Sequence, residues 1–267
     1  MAVMRDTDKT DEWIKERSAR NPITEILIDG KPSGRFRGGP LRMSYPQLLR
    51  PVLNRADRNN PDKKPACAVA LLFTPFSDLR PIYIASVRII AEHWRQSPNE
   101  LAKNFPTGVP TQIAGMNTPF TDQGKRDDNG QIKSGFTPGL MFLNARSPEP
   151  VPVFRFSGGK EVPVTDEKAI YGGQWCLPVW SLYISKAIPE KQIPSRLCAS
   201  IEKVMLYADD RSLGRRQTVD NTVAFGGAEG IEEVGLPDAP ASQGGFPGGL
   251  EEYGVPVQPD FSKMFGG

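Results

Sequence analysis

The stretch that decides the fold is Ala66-Cys67-Ala68-Val69-Ala70-Leu71-Leu72-Phe73-Thr74, an apolar run closed by a threonine. Its short length and its apolar character on both faces predict a buried strand. A helix is predicted directly after it, because Ser77 or Asp78 can cap the segment that follows. The apolar side chains of that segment recur at helical spacing, at Tyr83, Val87, Ile90, Ala91 and Trp94.

Short strands are predicted on both sides of this strand and helix. They cover residues 23–28, 40–45, 140–145, 151–156 and 196–208, and a further strand, called the long strand below, covers residues 174–185. We expect residues 140–145 and 151–156 to pair as a hairpin, and Tyr45-Pro46 to end its strand. The counts of 26 Gly and 26 Pro favour short strands joined by many turns.

The order of these elements predicts the fold class. Residues 31–39 are interpreted as a basic, Gly-rich loop, and residues 106–138 as a long irregular insertion. The helix then falls between the third and fourth predicted strands. This order fits a mainly β, OB-fold-like Greek-key barrel of five strands with an inserted helix and a long loop insertion.

The charge distribution divides the chain into three segments. Residues 1–22 form a charged N-terminal arm with a short helix near residues 11–20, residues 23–218 form the barrel domain, and residues 219–267 form a flexible, acidic Gly/Pro-rich tail. The tail has 8 acidic side chains and 1 basic one, and because the chain carries +2, residues 1–218 carry +9. Opposite charges on body and tail indicate a body that binds a polyanion and a tail that competes for it. A disordered, solvated terminus without such a role is the alternative.

Motifs for enzymatic chemistry are sparse. The one histidine, His93, stands beside Trp94 on the predicted helix, where a packing or surface role is favoured. No P-loop or dinucleotide-binding motif is present, so we predict no enzyme, no cofactor and no metal site. A Mg²⁺-dependent nuclease is a weaker alternative, although the contexts of its acidic pairs resemble turns. Those pairs are Asp127 with Asp128 and Asp209 with Asp210.

The cysteines and the hydropathy pattern indicate the compartment. The three cysteines lack metal-ligand spacing and lie in apolar runs, which predicts reduced core residues; they are Cys67, Cys176 and Cys198. No apolar run approaches the roughly 20 residues that span a membrane. We therefore expect a soluble intracellular protein without a membrane partner.

Cationic and aromatic residues alternate in several segments, which is the composition that binds single-stranded DNA. Cations follow the phosphates and aromatic faces stack on bases. The candidates are Arg35, Phe36, Arg37, Arg42 and Tyr45 near the first barrel strand; Phe142, Arg146 and Arg155 on the predicted hairpin; Trp175, Tyr183 and Lys186 on or after the long strand; and Arg215 and Arg216 before the tail.

Alternation along the long strand separates two faces. Trp175, Ser181 and Tyr183 share one face, and Trp180 lies on the more uniformly apolar one. We therefore expect Trp180 in the core and Trp175 and Tyr183 outward, with ordinary packing of the latter two as the alternative. Three cations of the long loop either clamp a DNA strand or are merely solvated; these are Lys125, Arg126 and Lys133.

Four stretches of the sequence resemble those of phage single-stranded DNA-binding proteins related to the T7 helix-destabilising protein. The stretches are Gly39-Pro40-Leu41-Arg42-Met43-Ser44-Tyr45-Pro46-Gln47-Leu48-Leu49-Arg50-Pro51, Ala68-Val69-Ala70-Leu71-Leu72-Phe73, Gly139-Leu140-Met141-Phe142-Leu143-Asn144-Ala145-Arg146-Ser147 and Ile170-Tyr171-Gly172-Gly173-Gln174-Trp175. The resemblance covers roughly residues 38–230 with the same order of elements.

This resemblance implies an OB-fold without catalytic activity that coats single-stranded DNA in replication and recombination. It implies an acidic tail that contacts replication proteins, such as a polymerase, helicase or primase, and competes with DNA. It also implies that the outward face with Trp175 and Tyr183 contributes to the groove, and that a turn at Leu213-Gly214 ends the barrel. The thinly charged tail and the long 106–138 insertion depart from the family pattern.

The sequence thus predicts a single-stranded DNA-binding protein, as a monomer or homodimer, that shows little sequence preference. The alternative is a structural or assembly protein, such as a virion or scaffold component, with a β-barrel body and no DNA-binding activity.

Overall fold

The computed structural model describes residues 4–53, 64–101, 109–126 and 129–213, so the predicted tail lies outside the described residues. The helices are α1 (Asp11–Arg20), α2 (Arg80–Trp94) and α3 (Pro98–Leu101), with short 3₁₀ turns at Glu167–Ala169 and Pro189–Lys191. The strands are β1 (Thr24–Ile28), β2 (Lys31–Arg37), β3 (Leu41–Val52), β4 (Ala66–Leu72), β5 (Gln112–Ile113), β6 (Met116–Asn117), β7 (Phe120–Asp122), β8 (Met141–Ser147), β9 (Val153–Ser157), β10 (Lys160–Pro163), β11 (Trp175–Ser185) and β12 (Arg196–Ala208).

Five strands close into a barrel in the order β3-β4-β8-β12-β11 and back to β3. The pairs are antiparallel except β8 with β12, which run parallel where Ala145 lies opposite Ala199. When the five barrel strands are numbered by their order in the sequence, their order around the barrel is one-two-three-five-four, which is the arrangement of an OB-fold. The predicted fold class is therefore confirmed.

Two smaller hairpins extend the barrel. β1 and β2 form a hairpin through the turn at Asp29-Gly30, and β2 then pairs with β11. The prediction of a loop over residues 31–39 is therefore wrong, because a short strand is formed there. β1 and β2 lie outside the barrel, so α2 follows the second barrel strand. The sequence analysis had counted residues 23–28 as a barrel strand and therefore placed this helix after the third.

The predicted hairpin between residues 140–145 and 151–156 is also wrong. β8 pairs with residues 199–200 of β12, and β9 pairs with residues 204–206 of the same strand. Both run parallel to β12, so β9 continues along the edge that β8 begins and does not fold back on it. β9 instead forms its antiparallel hairpin with β10.

A bulge in β3 changes which side chains face the core. Ser44 lies opposite Ala70 and Gln47 opposite Ala68, so β3 contains one residue more than β4 across this step. Tyr45 adopts a left-handed conformation there with φ 48°. Contrary to the prediction, the strand continues past Tyr45-Pro46, and the extra residue turns the tyrosine ring outward.

The core fills the barrel and the space under the helices. α2 packs against β2 and β11 and buries Ile82, Val87 and Ile90. Cys67 and Cys176 are buried, as predicted, whereas Cys198 is only half-buried, because it lies near the outer surface opposite Tyr183. Burial raises the pKa of Cys176. No helix within the described ranges is long and apolar enough to cross a bilayer.

A buried cationic cluster ties the N-terminal arm to the end of the barrel. The Arg42 guanidinium is fully buried, and it donates to the carbonyl oxygens of Gly173 at 3.0 Å and Arg5 at 2.9 Å. It also donates to the carbonyl oxygen of Arg211 at 3.2 Å and lies 3.7 Å from the Asp210 carboxylate. A buried charge is costly to leave unpaired, so the loss of one of these partners should be strongly destabilising.

Gly173 is required at its position by backbone geometry. Its φ is 115°, and a Cβ there would collide with the carbonyl oxygen of Arg211. Its amide donates to the Met43 carbonyl oxygen at 2.8 Å. The close approach therefore joins the start of β11, strand β3 and the end of β12.

Candidate nucleic-acid interface

A groove runs across the outer face of β3, β4 and β8. Its floor is low because β4 presents only alanine methyl groups there, from Ala68 and Ala70. Register brings Arg146 opposite Ala68 and Asn144 opposite Ala70, and Gln47 flanks Ala68 from the other side. Long polar side chains thus border a floor of small ones, which leaves room for a flat ligand.

The walls come from the bulge of β3 and from the insertion between α3 and β8. The prediction that this insertion is irregular is wrong in part, because it contains the short strands β5, β6 and β7, and β7 pairs with β8. Tyr45 is 60% exposed, and the Lys133 ammonium nitrogen lies 5.3 Å from its ring centroid. Phe136 contacts Phe142 edge to face, with ring centroids 5.0 Å apart at 72°. Together with Lys125 and Arg126 these residues enclose a groove of about 620 Å³.

The lining of this groove is cationic. Among its described residues four carry positive charge and none is acidic; the four are Lys125, Arg126, Lys133 and Arg146. All four are exposed. Cations spread around the exposed Tyr45 ring and the half-buried Phe142 ring can supply phosphate neutralisation and base stacking at the same place.

The same outer surface continues from Arg146 to Tyr183 across β12. Tyr183 is 47% exposed and lies opposite Cys198. Burial raises the pKa of the Tyr183 phenol and the Cys198 thiol acts in the same direction, while Arg196 and Arg146 oppose the shift. Tyr183 therefore stands between two cations, which extends the interface beyond the groove.

The predicted site residues divide between this surface and other parts of the molecule. Tyr45, Phe142 and Arg146 meet in the groove, and Tyr183 faces outward as expected. The remaining exposed candidates lie elsewhere: Arg35 in a salt bridge to Glu202 at 3.2 Å, Arg37 in a cleft beside Leu177 and Val179, Arg155 in a cleft with Phe156 and Tyr171, and Lys186 after β11. Arg215 and Arg216 lie outside the described residues.

Three predicted site residues are buried and cannot reach DNA. Phe36 stacks on Trp180 in the hydrophobic core, with ring centroids 5.6 Å apart, so Phe36 is not a site residue, whereas Trp180 lies in the core as expected. Arg42 belongs to the buried cluster at the barrel end. The prediction that Trp175 faces outward is wrong, because α1 covers the first position of that face.

The contacts of Trp175 explain this correction. Its indole Nε1 donates to Asp210 Oδ2 at 2.7 Å, and its ring meets the Trp13 ring edge to face at 5.6 Å. The register shift at this point comes from one extra residue in β12, between Leu206 and Ala208, so Trp175 keeps its place on the odd-numbered face of β11. Burial alternates with exposure from Cys176 to Tyr183, and Trp175 is buried on its face only because the arm covers it.

From the sequence, the loop cations could either clamp DNA or be merely solvated. The sequence analysis did not identify Phe136 or the alanine floor as parts of the site. Lys125, Arg126 and Lys133 carry no local pattern that separates a clamp from a solvated loop. The alanines of β4 read as core residues, because a strand with small residues on one face resembles a fully buried strand. A clue was available in the alternation of Ala68 and Ala70 with the larger Val69 and Leu71.

The acidic residues of the nuclease alternative have structural partners where they are described. Asp209 accepts from Gln174 at 2.9 Å and from Tyr171 at 3.1 Å, and Asp210 belongs to the buried cluster. Asp127 and Asp128 lie outside the described residues. Within the described ranges, no group of three or more His, Cys, Asp or Glu side chains is arranged to hold a metal ion.

Solved structures similar to this chain are phage single-stranded DNA-binding proteins, the class named from the sequence. The protein of bacteriophage Enc34 in complex with ssDNA matches at 20% identity with a TM-score of 0.42, over 68% of this chain and 90% of that one. The same Enc34 protein in another structure matches at 19% identity and a TM-score of 0.42, over 76% and 98% of the two chains. The protein of bacteriophage T7 matches at 15% identity and a TM-score of 0.37, over 75% and 98%. No protein-family model and no curated protein matches the sequence significantly.

Proposed function

We propose that this protein binds single-stranded DNA with little sequence preference through the groove of β3, β4 and β8. The observation that carries the proposal is the combination of four cations, the exposed Tyr45 ring beside the half-buried Phe142, and a floor of alanines in one groove. Stacking on rings tolerates any base, and phosphate neutralisation is independent of sequence. The groove is wide and open to solvent, as a flexible strand requires.

The wider role follows the same proposal. The protein coats single-stranded DNA in phage replication and recombination in the host-cell cytoplasm, and it has no catalytic activity of its own. Its acidic tail, residues 219–267, recruits replication proteins and competes with DNA. The net charges of −7 on the tail and +9 on residues 1–218 support this competition.

The first test is titration of labelled oligo-dT by fluorescence anisotropy at several salt concentrations, with a duplex of the same length as the control. We expect salt-sensitive binding and a clear preference for the single strand. No binding at low salt, or equal affinity for the duplex, would contradict the proposal and favour a structural or assembly role.

The second test is removal of residues 219–267. The truncated protein is expected to bind oligo-dT more tightly, because a competing segment of net charge −7 is lost. The gain should shrink as salt rises, since the competition is electrostatic. Equal or weaker affinity after truncation would refute competition by the tail. It would not bear on the proposal that DNA binds in the groove.

A further inference from the structure

One wall of the groove is held by the N-terminal arm. Residues 133–137 carry Lys133 and Phe136 into the groove. The Asp6 carboxylate accepts hydrogen bonds from the Gly135 amide at 2.8 Å and the Ser134 hydroxyl at 3.1 Å, both at Oδ2. The arm is therefore hydrogen-bonded to the segment between Lys133 and Phe136.

A second contact extends this grip. The Arg5 amide donates to Thr137 Oγ1 at 3.2 Å. The Thr137 amide in turn donates to Gln123 Oε1 at 2.9 Å, and Gln123 is fully buried. Residues 134–137 are thus fixed from the arm on one side and from the interior on the other.

The arm is itself attached to the strand that forms the opposite wall. Arg42 of β3 donates to the carbonyl oxygens of Arg5 and Asp6. Tyr45 lies three residues further along the same strand. The arm consequently connects the strand of Tyr45 to the loop of Lys133, the two side chains whose ring centroid and ammonium nitrogen lie 5.3 Å apart.

We propose that Asp6 is a positioning residue for DNA binding, which holds Lys133 and Phe136 in the wall of the groove without touching DNA. This inference rests on the proposed function. A loop ordered before binding loses less conformational entropy when DNA arrives, so the grip raises affinity. The hydrogen bond from Gly135 to Asp6 is also the largest cause that lowers the pKa of this carboxyl group.

The sign of a mutational effect separates this role from plain electrostatics. Asp6→Ala removes a negative charge, and charge alone predicts tighter binding to a polyanion. Positioning predicts the opposite, and we expect oligo-dT affinity about tenfold lower, comparable to the loss of one base contact. Asp6→Asn keeps an acceptor oxygen for Gly135, so it should restore most of the affinity.

Asp8→Ala is the matched control. Asp8 lies on the same arm with the same charge, but its carboxylate accepts from Arg211 Nε at 2.6 Å and not from the described atoms of residues 133–137. We expect unchanged or slightly tighter binding from this variant. Equal weakening by Asp6→Ala and Asp8→Ala would overturn the proposal, because it would indicate general loss of the arm.

A double-mutant cycle tests whether Asp6 acts through the wall. If it does, Asp6→Ala should cost much less affinity in a Lys133→Ala background than in the native protein. Additive losses from the two substitutions would overturn the proposal. Thermal unfolding of each variant shows that the comparison is between folded proteins.

Hydrogen–deuterium exchange without DNA provides a readout independent of the proposed function. The amides of residues 134–137 should exchange faster in Asp6→Ala than in Asp8→Ala. Unchanged exchange in Asp6→Ala would overturn the positioning role even if the protein binds DNA. Absence of oligo-dT binding by the native protein would instead reject the proposed function, and the exchange result would still decide whether Asp6 orders the wall.

Discussion

Replacing Arg146 with alanine removes one cation from the groove with little expected change in the fold. Its side chain is exposed on β8, and its neighbour across the strand pair is the small Ala68. The substitution therefore leaves no cavity in the core. What changes is the number of positive charges that can displace counterions from a bound strand.

The magnitude follows from the number of groove cations. Each phosphate neutralised on a single strand contributes about −0.7 to the slope of log K against log salt. Four cations predict a slope of about −2.8, and three predict about −2.1. Between roughly 50 and 200 mM salt, native affinity should fall about 50-fold and that of Arg146→Ala about 20-fold.

The assay is oligo-dT anisotropy across this salt range, with Arg80→Ala as the control of equal charge. Arg80 is exposed at the start of α2, pairs with Asp78 at 2.6 Å and does not line the groove. The control should keep the native slope. An unchanged slope in Arg146→Ala, or an equal decrease in both variants, would refute the assignment of phosphate contacts to this groove.

The remaining predictions concern the rings, the backbone and pH. Phe142→Ala should weaken oligo-dT binding by about 1–3 kcal/mol with the salt slope unchanged, whereas Phe156→Ala, an exposed ring of β9, should leave the affinity as it is; equal losses would place stacking elsewhere. Gly173→Ala should lower the free energy of unfolding by about 1–3 kcal/mol or more in a denaturant titration, because φ 115° is strained for alanine and the Cβ meets Arg211; a native-like midpoint would show that the backbone adjusts. Burial raises the pKa of Asp210, but the hydrogen bonds that its carboxylate accepts lower the pKa by more. The net pKa therefore lies below the ordinary 3.8. The contribution of Asp210 to stability is therefore complete above that ordinary value and is lost as pH falls through the lower folded pKa, so melting temperatures should drop below about pH 4; in Asp210→Asn that part of the drop should disappear.

The sequence predicted those elements whose signals are local. The α1 helix begins at Asp11 and ends at Arg20, near the predicted bounds, and the Thr10 side chain caps it. The β12 strand likewise covers residues 196–208 as predicted. In these cases periodicity and caps are decided by neighbours along the chain, so no tertiary contact was needed to find them.

The errors arose where a distant segment decides the environment. Trp175 obeys the alternation of its strand, but α1 covers it, and no feature of residues 174–185 indicates that cover. Arg42 resembles a surface cation in the sequence, but five groups from three other segments of the chain surround its guanidinium in the fold. The candidate site could be predicted to the extent of Tyr45, Phe142, Arg146 and the outward Tyr183, because cationic and aromatic residues on short strands are a local signal; the bulge that turns Tyr45 outward was not predicted.

The extra residue at the β3 bulge determines whether the odd-numbered or the even-numbered side chains of the strand face the hydrophobic core. Before the bulge, the odd-numbered Leu41 and Met43 are buried, and after it the even-numbered Leu48 is buried. Deleting a single residue at this step would restore one continuous alternation. Leu48 would then turn to solvent and Gln47 to the core, and the tyrosine would lose its outward position. The segment thus constrains chain length more strongly than side-chain identity, so homologous barrels should vary in residue type here more readily than in residue number.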